Sequence, residues 1–384
     1  MRPCVLHIAK ASGISGSENH LLLLLPALRE RGIDARFLML HEDEVGAWEL
    51  ARRLDEAGVP VEGIRLPRAA SPAALARLVS AIRRLRPDIV HTHLVHADFY
   101  GLAAARLARV PVLASTKHGF NTFRDRRSFA LADRATVIGV DLHVAISAGL
   151  ARYLAQREGF SEREFEIVHY GIEAGTEPPQ PPAPDRLAIV GRLIPIKGHE
   201  TLFAALRELP DVRLEVAGDG PLEHALRELA APLGERISFL GRVAPAASVL
   251  ERAGIVIVPS LGEGFGMVAL EAMERGRAVV ASAIGGLPEL VVDGVTGLVV
   301  PPSEPDALRE AIRSLLGDPE RARMMGAAGR RRALEAFSQT RNTERMAELY
   351  AAVLGRPRRS RRLRHARSSA NAASTASRKS HGAR

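Results

Sequence analysis

The sequence predicts an α/β protein built as two successive parallel-sheet domains. Three observations carry this expectation. Short β-branched runs alternate with helix-period patterns, a proline-rich segment interrupts the alternation near mid-chain, and the alternation then restarts. Parallel neighbours need long crossovers, and helical patterns of suitable length stand between most of the runs.

In the first half, Val5-Leu6-His7-Ile8 reads as a strand, followed by a Gly/Ser loop and a helix from about Asn19 to Arg31. Ala35 to Leu40 is a second strand, Ala73 to Leu85 has helical spacing, and Asp88-Ile89-Val90-His91 is another strand. Val112 to Thr116 and Leu142 to Ala145 continue the series. Five prolines between Ala174 and Pro184 can continue neither regular element, so this stretch reads as a semi-rigid linker. Strand-length runs then recur at Leu187–Val190, Leu214–Ala217, Ile237–Leu240, Ile255–Val258, Ala278–Ala281 and Gly297–Val300. Met346, Leu349, Tyr350 and Val353 mark a last helix ending near Gly355. The expected division is 1–173, a linker at 174–184, a second domain at 185–336, a helix at 337–355 and a disordered basic tail at 356–384. A cleft between the domains, at the carboxyl ends of the strands, is the expected place for a ligand.

Composition narrows the function. A length of 384 residues exceeds a single hydrophobic core, and a single cysteine, Cys4, excludes a disulfide framework and fits a reducing compartment. The net charge of +9 is local: residues 356–384 hold nine Arg and one Lys with no acid, leaving 43 basic and 44 acidic side chains in the body. A neutral body argues against a nucleic-acid-binding domain. The apolar run from Leu21 to Leu28 is far short of the ~20 residues a membrane-spanning helix needs. The N-terminus is too weakly apolar for a secretory leader, so a cytoplasmic protein is expected.

The densest chemical signal is Pro259-Ser260-Leu261-Gly262-Glu263-Gly264-Phe265-Gly266-Met267-Val268-Ala269-Leu270-Glu271. A strand ends, a loop with three glycines follows, and a helix opens near Gly266. Glycines let backbone approach a ligand, and the first helical turn offers free N–H groups to an anion. Glu263 and Glu271 suit hydroxyl-rich groups; the alternative is a plain βα turn with a solvated Glu271. Arg192 and Lys197, after the first strand of the second domain, have the chemistry to neutralise a diphosphate or are solvated loop cations. Gly218-Asp219-Gly220 after the next strand reads equally well as a structural turn.

Signals in the first half are weaker. Gly13-Ile14-Ser15-Gly16-Ser17-Glu18 is half a dinucleotide fingerprint without its third glycine. His91 and His93, near His96 and Asp98, offer metal-ligating atoms without a completing carboxylate cluster, which favours a structural or hydrogen-bonding role. No Asp-x-Asp pair occurs to hold a nucleotide-bound divalent cation. His118, after the strand Val112–Thr116, is either a cleft-facing hydrogen-bonding group or a structural histidine.

Glu263-Gly264-Phe265-Gly266, Glu271-Ala272-Met273, Gly276, Val279-Val280-Ala281-Ser282, Gly285-Gly286-Leu287-Pro288-Glu289, Gly294, Gly297 and Pro301 occur in an order that resembles the group 1, or family-4, retaining glycosyltransferases of GT-B fold. Val190-Gly191-Arg192-Leu193, Lys197-Gly198, Gly218-Asp219-Gly220, Gly241 and an expected hinge-side strand at His169-Tyr170-Gly171-Ile172 extend the resemblance, which covers about residues 4–354. It implies two Rossmann-like domains facing across a cleft, with the C-terminal helix packing back on the first.

The resemblance also implies roles. Arg192 and Lys197 hold the diphosphate of a nucleotide-sugar donor, Glu271 binds the ribose, and Glu263 binds the sugar hydroxyls. Backbone N–H groups of Phe265, Gly266, Met267 and Val268 meet phosphate or sugar. Gly16 approaches the diphosphate, and His118 lies beside the transferred sugar. The implied reaction moves the sugar to a glycan or lipid-linked hydroxyl with retention, without a metal or other cofactor. Two departures bear on the acceptor side: Ser15-Gly16 replaces the family's glycine pair, and His169-Tyr170-Gly171-Ile172-Glu173 replaces its common Asn-Gly-Val-Asp.

Competing readings are a sugar-nucleotide epimerase or hydrolase sharing the same donor pocket, and a tail that acts by charge on nucleic acid or anionic lipid. Phe120, Phe123 and Phe129, interleaved with Arg124, Arg126 and Arg127, point either to peripheral contact with an anionic membrane or to a solvated basic face.

Overall fold

The computed structural model describes residues 2–42, 44–66, 71–120, 127–175, 183–243 and 245–356, with the side chains of 127–130 left aside. The chain forms two compact units. One comprises residues up to Ile146, Ala151–Val168 and the chain from Asn342 on; the other comprises Ser147–Leu150 and His169–Arg341. The chain therefore changes unit between Val168 and His169, ahead of the expected linker, whose residues 176–182 lie outside the described residues.

The first unit holds a seven-stranded sheet of β1 (Cys4–Lys10), β2 (Asp34–His41), β3 (Val61–Arg65), β4 (Ile89–His93), β5 (Val112–Lys117), β6 (Leu142–Ala145) and β7 (Phe165–Ile167). All pairings are parallel, in the order β3-β2-β1-β4-β5-β6-β7. Helix Gly16–Glu30 lays Leu21, Leu24, Leu25 and Leu28 on Val5, Ala35 and Phe37. Met346, Leu349, Tyr350 and Val353 of the last helix, Gln339–Leu354, join that core, as their three- and four-residue spacing requires. The expectation that this helix packs on the first domain holds.

The second unit holds a six-stranded sheet of β8 (Ala183–Val190), β9 (Arg213–Ala217), β10 (Ile237–Gly241), β11 (Ala253–Val258), β12 (Ala278–Ser282) and β13 (Gly297–Val300). It too is wholly parallel, in the order β10-β9-β8-β11-β12-β13. Every residue of β11 and β12 is buried, which is why these strands read as continuous apolar runs rather than alternating ones. In each sheet the strand order reverses once, between β1 and β4 and between β8 and β11. Loops leaving the carboxyl ends on either side of such a reversal diverge and leave a crevice, the usual ligand position in this architecture.

Two strands escape the sequence pattern. β3 and β7 are edge strands with one neighbour each, and their short, charge-bearing sequences lack a continuous apolar run. The expected strand at His169–Ile172 is corrected: Ile172 alone forms a bridge, to Ser338. No helix among the described residues is long and apolar enough to cross a membrane.

Candidate active site

At the reversal point of the second sheet, the loop after β8 docks on the loop after β11. Gly198 has φ 70°, and a Cβ there would lie 1.9 Å from the Pro259 carbonyl oxygen. Only glycine allows this approach. The Leu261 N–H donates to the Ile196 carbonyl at 2.8 Å, closing the junction. As a result Lys197 Nζ donates to Glu263 Oε2 at 2.6 Å, and Ser260 Oγ donates to the same oxygen at 3.2 Å. The two charged side chains are 26% and 15% exposed, so the pair is sheltered but within reach of solvent.

Neighbouring loops are joined to this junction. Gly218, at φ 147°, sits where a Cβ would lie 1.8 Å from the Gly191 carbonyl oxygen. The Gly191 N–H donates to Ala217, the Leu193 N–H to Asp219 and the Gly218 N–H to Gly241. The Gly218-Asp219-Gly220 turn thus frames the loop that carries Arg192 and Lys197. Arg192 is exposed and makes no ion pair among the described residues. Its guanidinium remains available to an anion.

Helix Met267–Glu274 opens directly after the same junction, with Gly266 as its N-cap and no side chain capping it. The N–H groups of Phe265, Gly266, Met267 and Val268 have no hydrogen-bond partner among the described residues. Such an uncapped first turn is an anion acceptor by geometry and dipole. The Phe265 ring is fully buried, stacked on His169 and edge-on to Tyr170 and Phe337. Phe265 therefore offers a ligand its backbone only. Glu271 lies on this helix, and its carboxyl makes no hydrogen bond among the described residues. Burial pushes it up to about 7; Arg275 opposes the shift and Glu274 adds to it.

One acid escaped functional reasoning from sequence. Glu289 accepts from the backbone N–H groups of Ala148 at 3.1 Å and Gly149 at 2.8 Å, and from His169 Nε2 at 2.7 Å. Burial alone raises its carboxyl, but His169 and then these two N–H groups pull it below the ordinary glutamate value. Ser147 Oγ donates to the Gly264 carbonyl at 2.6 Å and accepts from the Leu150 N–H. Within the second unit, Ser147 therefore ties residues 147–150 to the glycine loop, and Glu289 ties them to helix Leu287–Leu290. The available signal was the helix-capping character of Ser147 before Ala148-Gly149.

Gly16 and His118 belong to the first unit. Gly16 opens helix Gly16–Glu30, and Glu18 accepts from Ser15 N–H at 3.1 Å and Ser15 Oγ at 2.5 Å. The half-fingerprint is thus a helix cap. Asp98 is drawn away from the histidines: it accepts from Thr92, Ser115 and Lys117, and Lys117 also binds Asp133. His91 and His93 instead meet His7 of β1, and the three offer ring nitrogens within 4.8 Å of one another. The His91 and His93 rings stack, with centroids 4.4 Å apart, and His7 is tilted by 33° to His91. His7 Nδ1 and His93 Nε2 lie 2.9 Å apart, so these residues form a hydrogen-bond network in the structure described. His118 follows β5, and its Nε2 is 2.9 Å from His93 Nδ1. Of the aromatic and basic segment, Phe120 packs on Tyr153; Phe123, Arg124 and Arg126, the side chains of Arg127 and Phe129, and the tail from 357 on lie outside the described residues.

Comparison with known proteins bears on both units. A family model for glycosyl transferases of group 1 matches residues 177–332, and one for a glycosyl transferase 4-like domain matches residues 15–171. Alpha-maltose-1-phosphate synthase of Mycolicibacterium smegmatis is 32% identical over 308 residues, which cover 69% of this chain and 79% of that protein. The GDP-mannose-dependent alpha-(1-6)-phosphatidylinositol monomannoside mannosyltransferase of the same organism is 29% identical over 350 residues, 80% of this chain and 90% of its own. Among solved structures, Anabaena HepE in complex with UDP and glucose superposes with a TM-score of 0.78 at 21% identity, over 90% of this chain and 99% of that one.

Proposed function

The chain belongs to the group 1 glycosyl transferases, and on that premise we propose that it moves a sugar from a nucleoside-diphosphate sugar to a hydroxyl acceptor, with retention of configuration and without a metal. The observation that carries this reading is the Lys197–Glu263 pair beside an uncapped helix N-terminus. A sheltered cation and a row of unpartnered N–H groups suit a diphosphate, and an acid held next to them suits sugar hydroxyls.

Donor binding exchanges the partner of Lys197. The diphosphate takes over the ammonium and Arg192, and Glu263 is released to accept hydrogen bonds from the sugar. The Phe265–Val268 N–H row meets phosphate or sugar, and Glu271 accepts from the ribose. In the reaction the bond from the anomeric carbon to the phosphate oxygen breaks, and the acceptor oxygen bonds to that carbon on the same face. The acceptor proton passes to the departing phosphate. Fixed cations and N–H dipoles stabilise the negative charge that develops on the leaving group. Gly16 and His118 serve the donor phosphate and the transferred sugar. The acceptor is a glycan or lipid-linked hydroxyl, reached by a cytoplasmic enzyme that touches anionic membrane peripherally.

The names of the relatives and the ligands of the structural neighbours support testing several bases. Thermal-shift titration with UDP-, GDP- and ADP-sugars, followed by transfer assays with a chelator present, tests the proposal. One donor is expected to stabilise the protein, and the product anomer is expected to match the donor. Absence of stabilisation by all three, inversion of the anomer, or loss of transfer with chelator overturns the corresponding part. Sugar isomerisation by donor alone would favour the epimerase reading.

A further inference from the structure

A chain of buried side chains in the first unit runs from the last helix to His118. His91 Nε2 is 2.6 Å from Thr116 Oγ1, and His91 Nδ1 is 2.5 Å from the Tyr350 hydroxyl. The Tyr350 hydroxyl has a longer contact of 3.5 Å to His7 Nε2. His7 Nδ1 is 2.9 Å from His93 Nε2, and His93 Nδ1 is 2.9 Å from His118 Nε2. All six ring nitrogens of His7, His91 and His93 are thus engaged, and none of these three rings nor Tyr350 is open to solvent.

A neutral imidazole carries one proton, so each ring can donate from one nitrogen and accept at the other. Only two arrangements satisfy every bond and also keep the buried Tyr350 O–H donating within the chain of contacts. In one, Thr116 donates to His91, His91 to Tyr350, Tyr350 to His7, His7 to His93 and His93 to His118, with all four rings protonated at Nδ1. In the other every bond reverses and all four rings are protonated at Nε2. A mixed arrangement places two protons, or two lone pairs, face to face, or makes Tyr350 accept twice and leaves its own buried O–H without an acceptor among the described residues.

We infer that Tyr350, His7 and His93 are positioning residues that set, through this relay, which ring nitrogen of His118 carries its proton. Burial keeps the rings of His7, His91, His93 and His118 neutral, as the relay requires. Which nitrogen of a histidine is protonated follows from the bond made by the other one. Through the relay His118 presents either a donor or an acceptor at Nδ1, and both options suit a hydroxyl-bearing substrate. The functional part of this inference rests on the proposed place of His118 beside the transferred sugar; the relay itself does not.

Breaking the relay at its two ends has opposite effects. Tyr350→Phe removes one oxygen and strands any proton on His7 Nε2, so His7, His93 and His118 settle as Nδ1–H. His118→Phe strands any proton on His93 Nδ1, so His93 and His7 settle as Nε2–H. Nitrogen-15 spectra of the full chain labelled in its histidine rings read these states without substrate. The inference expects the His93 proton on Nδ1 in Tyr350→Phe and on Nε2 in His118→Phe; the same tautomer in both variants overturns it. Thr116→Val, which keeps side-chain volume, is a second route to the Nδ1–H state and replaces Tyr350→Phe should that variant not fold. Kinetics separate the two layers: Tyr350→Phe is expected to lower kcat about ten-fold with donor KM unchanged, less than the ~10²–10⁴ that removing an acid–base group itself costs. Tautomers that respond while kcat does not support the relay and overturn the role of His118 in the reaction.

Discussion

Glu271 is expected to give the proposed donor site a pH dependence that its sequence position alone does not announce. Burial raises its carboxyl to about 7, with Arg275 resisting. Its unfolded value is the ordinary 4.5, so the fold favours the protonated form. The stability this gives is present below pH 4.5 and is lost as pH rises through about 7. The proposed ribose contact calls for the opposite form, because a carboxylate would accept hydrogen bonds from both hydroxyls. Around a value near 7 the ionised fraction goes from about a tenth at pH 6 to about nine-tenths at pH 8, so the apparent donor KM falls roughly ten-fold across that range. Glu271→Gln keeps the shape and removes the charge. Losing a charge-assisted hydrogen bond, ~1.5–3 kcal/mol, raises KM by ~10- to 100-fold above the parent at pH 8 and flattens the profile. Initial rates against donor concentration at five pH values, in parent and variant, make the measurement. A parent KM that is level between pH 6 and 8, or a Glu271→Gln variant that retains the parental slope, refutes the reasoning.

Two further outcomes follow from the same junction. Lys197→Ala removes a cation proposed to act on the leaving group and is expected to lower kcat by ~10- to 100-fold at saturating donor; turnover equal to the parent would defeat the electrostatic account. Glu289→Ala strips the acceptor from Ala148 N–H, Gly149 N–H and His169. It is expected to cost ~2–3 kcal/mol in denaturant unfolding above pH 5, a cost that shrinks on acidification because a depressed carboxyl stabilises only while ionised; a variant as stable as the parent at pH 7 would contradict the anchoring role.

Central strands were legible in the sequence because burial on both faces imposes an unbroken apolar run, as in Ile255-Val256-Ile257-Val258. Edge strands β3 and β7 answer to one neighbour and carried no such signature. At the site, the glycines and the helix start after β11 were readable locally, since close backbone approach leaves glycine as the only choice. The pairing of Lys197 with Glu263 was not. Sixty-six positions separate them, and the reversal between β8 and β11 is what joins them. The histidine relay lay further beyond reach: His7 and Tyr350 are 343 positions apart, and a His-x-His run looks the same whether it serves a metal or a hydrogen-bond chain. Long-range pairing in parallel sheets comes from strand order, and local periodicity does not encode strand order.

The two reversal points are furnished with opposite kinds of chemistry, and the proposed reaction gives a reason. Beside β8 and β11 stand groups of fixed charge, Arg192, Lys197 and Glu263. Beside β1 and β4 stand His7, His91 and His93, which burial keeps neutral. A diphosphate is anionic before, during and after transfer, so permanent cations serve it throughout. A sugar or acceptor hydroxyl is neutral and changes only in where its proton resides, so the proposed reaction calls at His118 for a group that holds a proton on either of two atoms, with the buried rings behind it setting which. A lysine in place of His93 would bring a charge into a fully buried position, at a desolvation cost of several kcal/mol. The neutrality of this cluster is therefore part of its chemistry. A neutral His118 at the end of the relay offers a hydroxyl a donor or an acceptor, whereas a charged one would offer donors only.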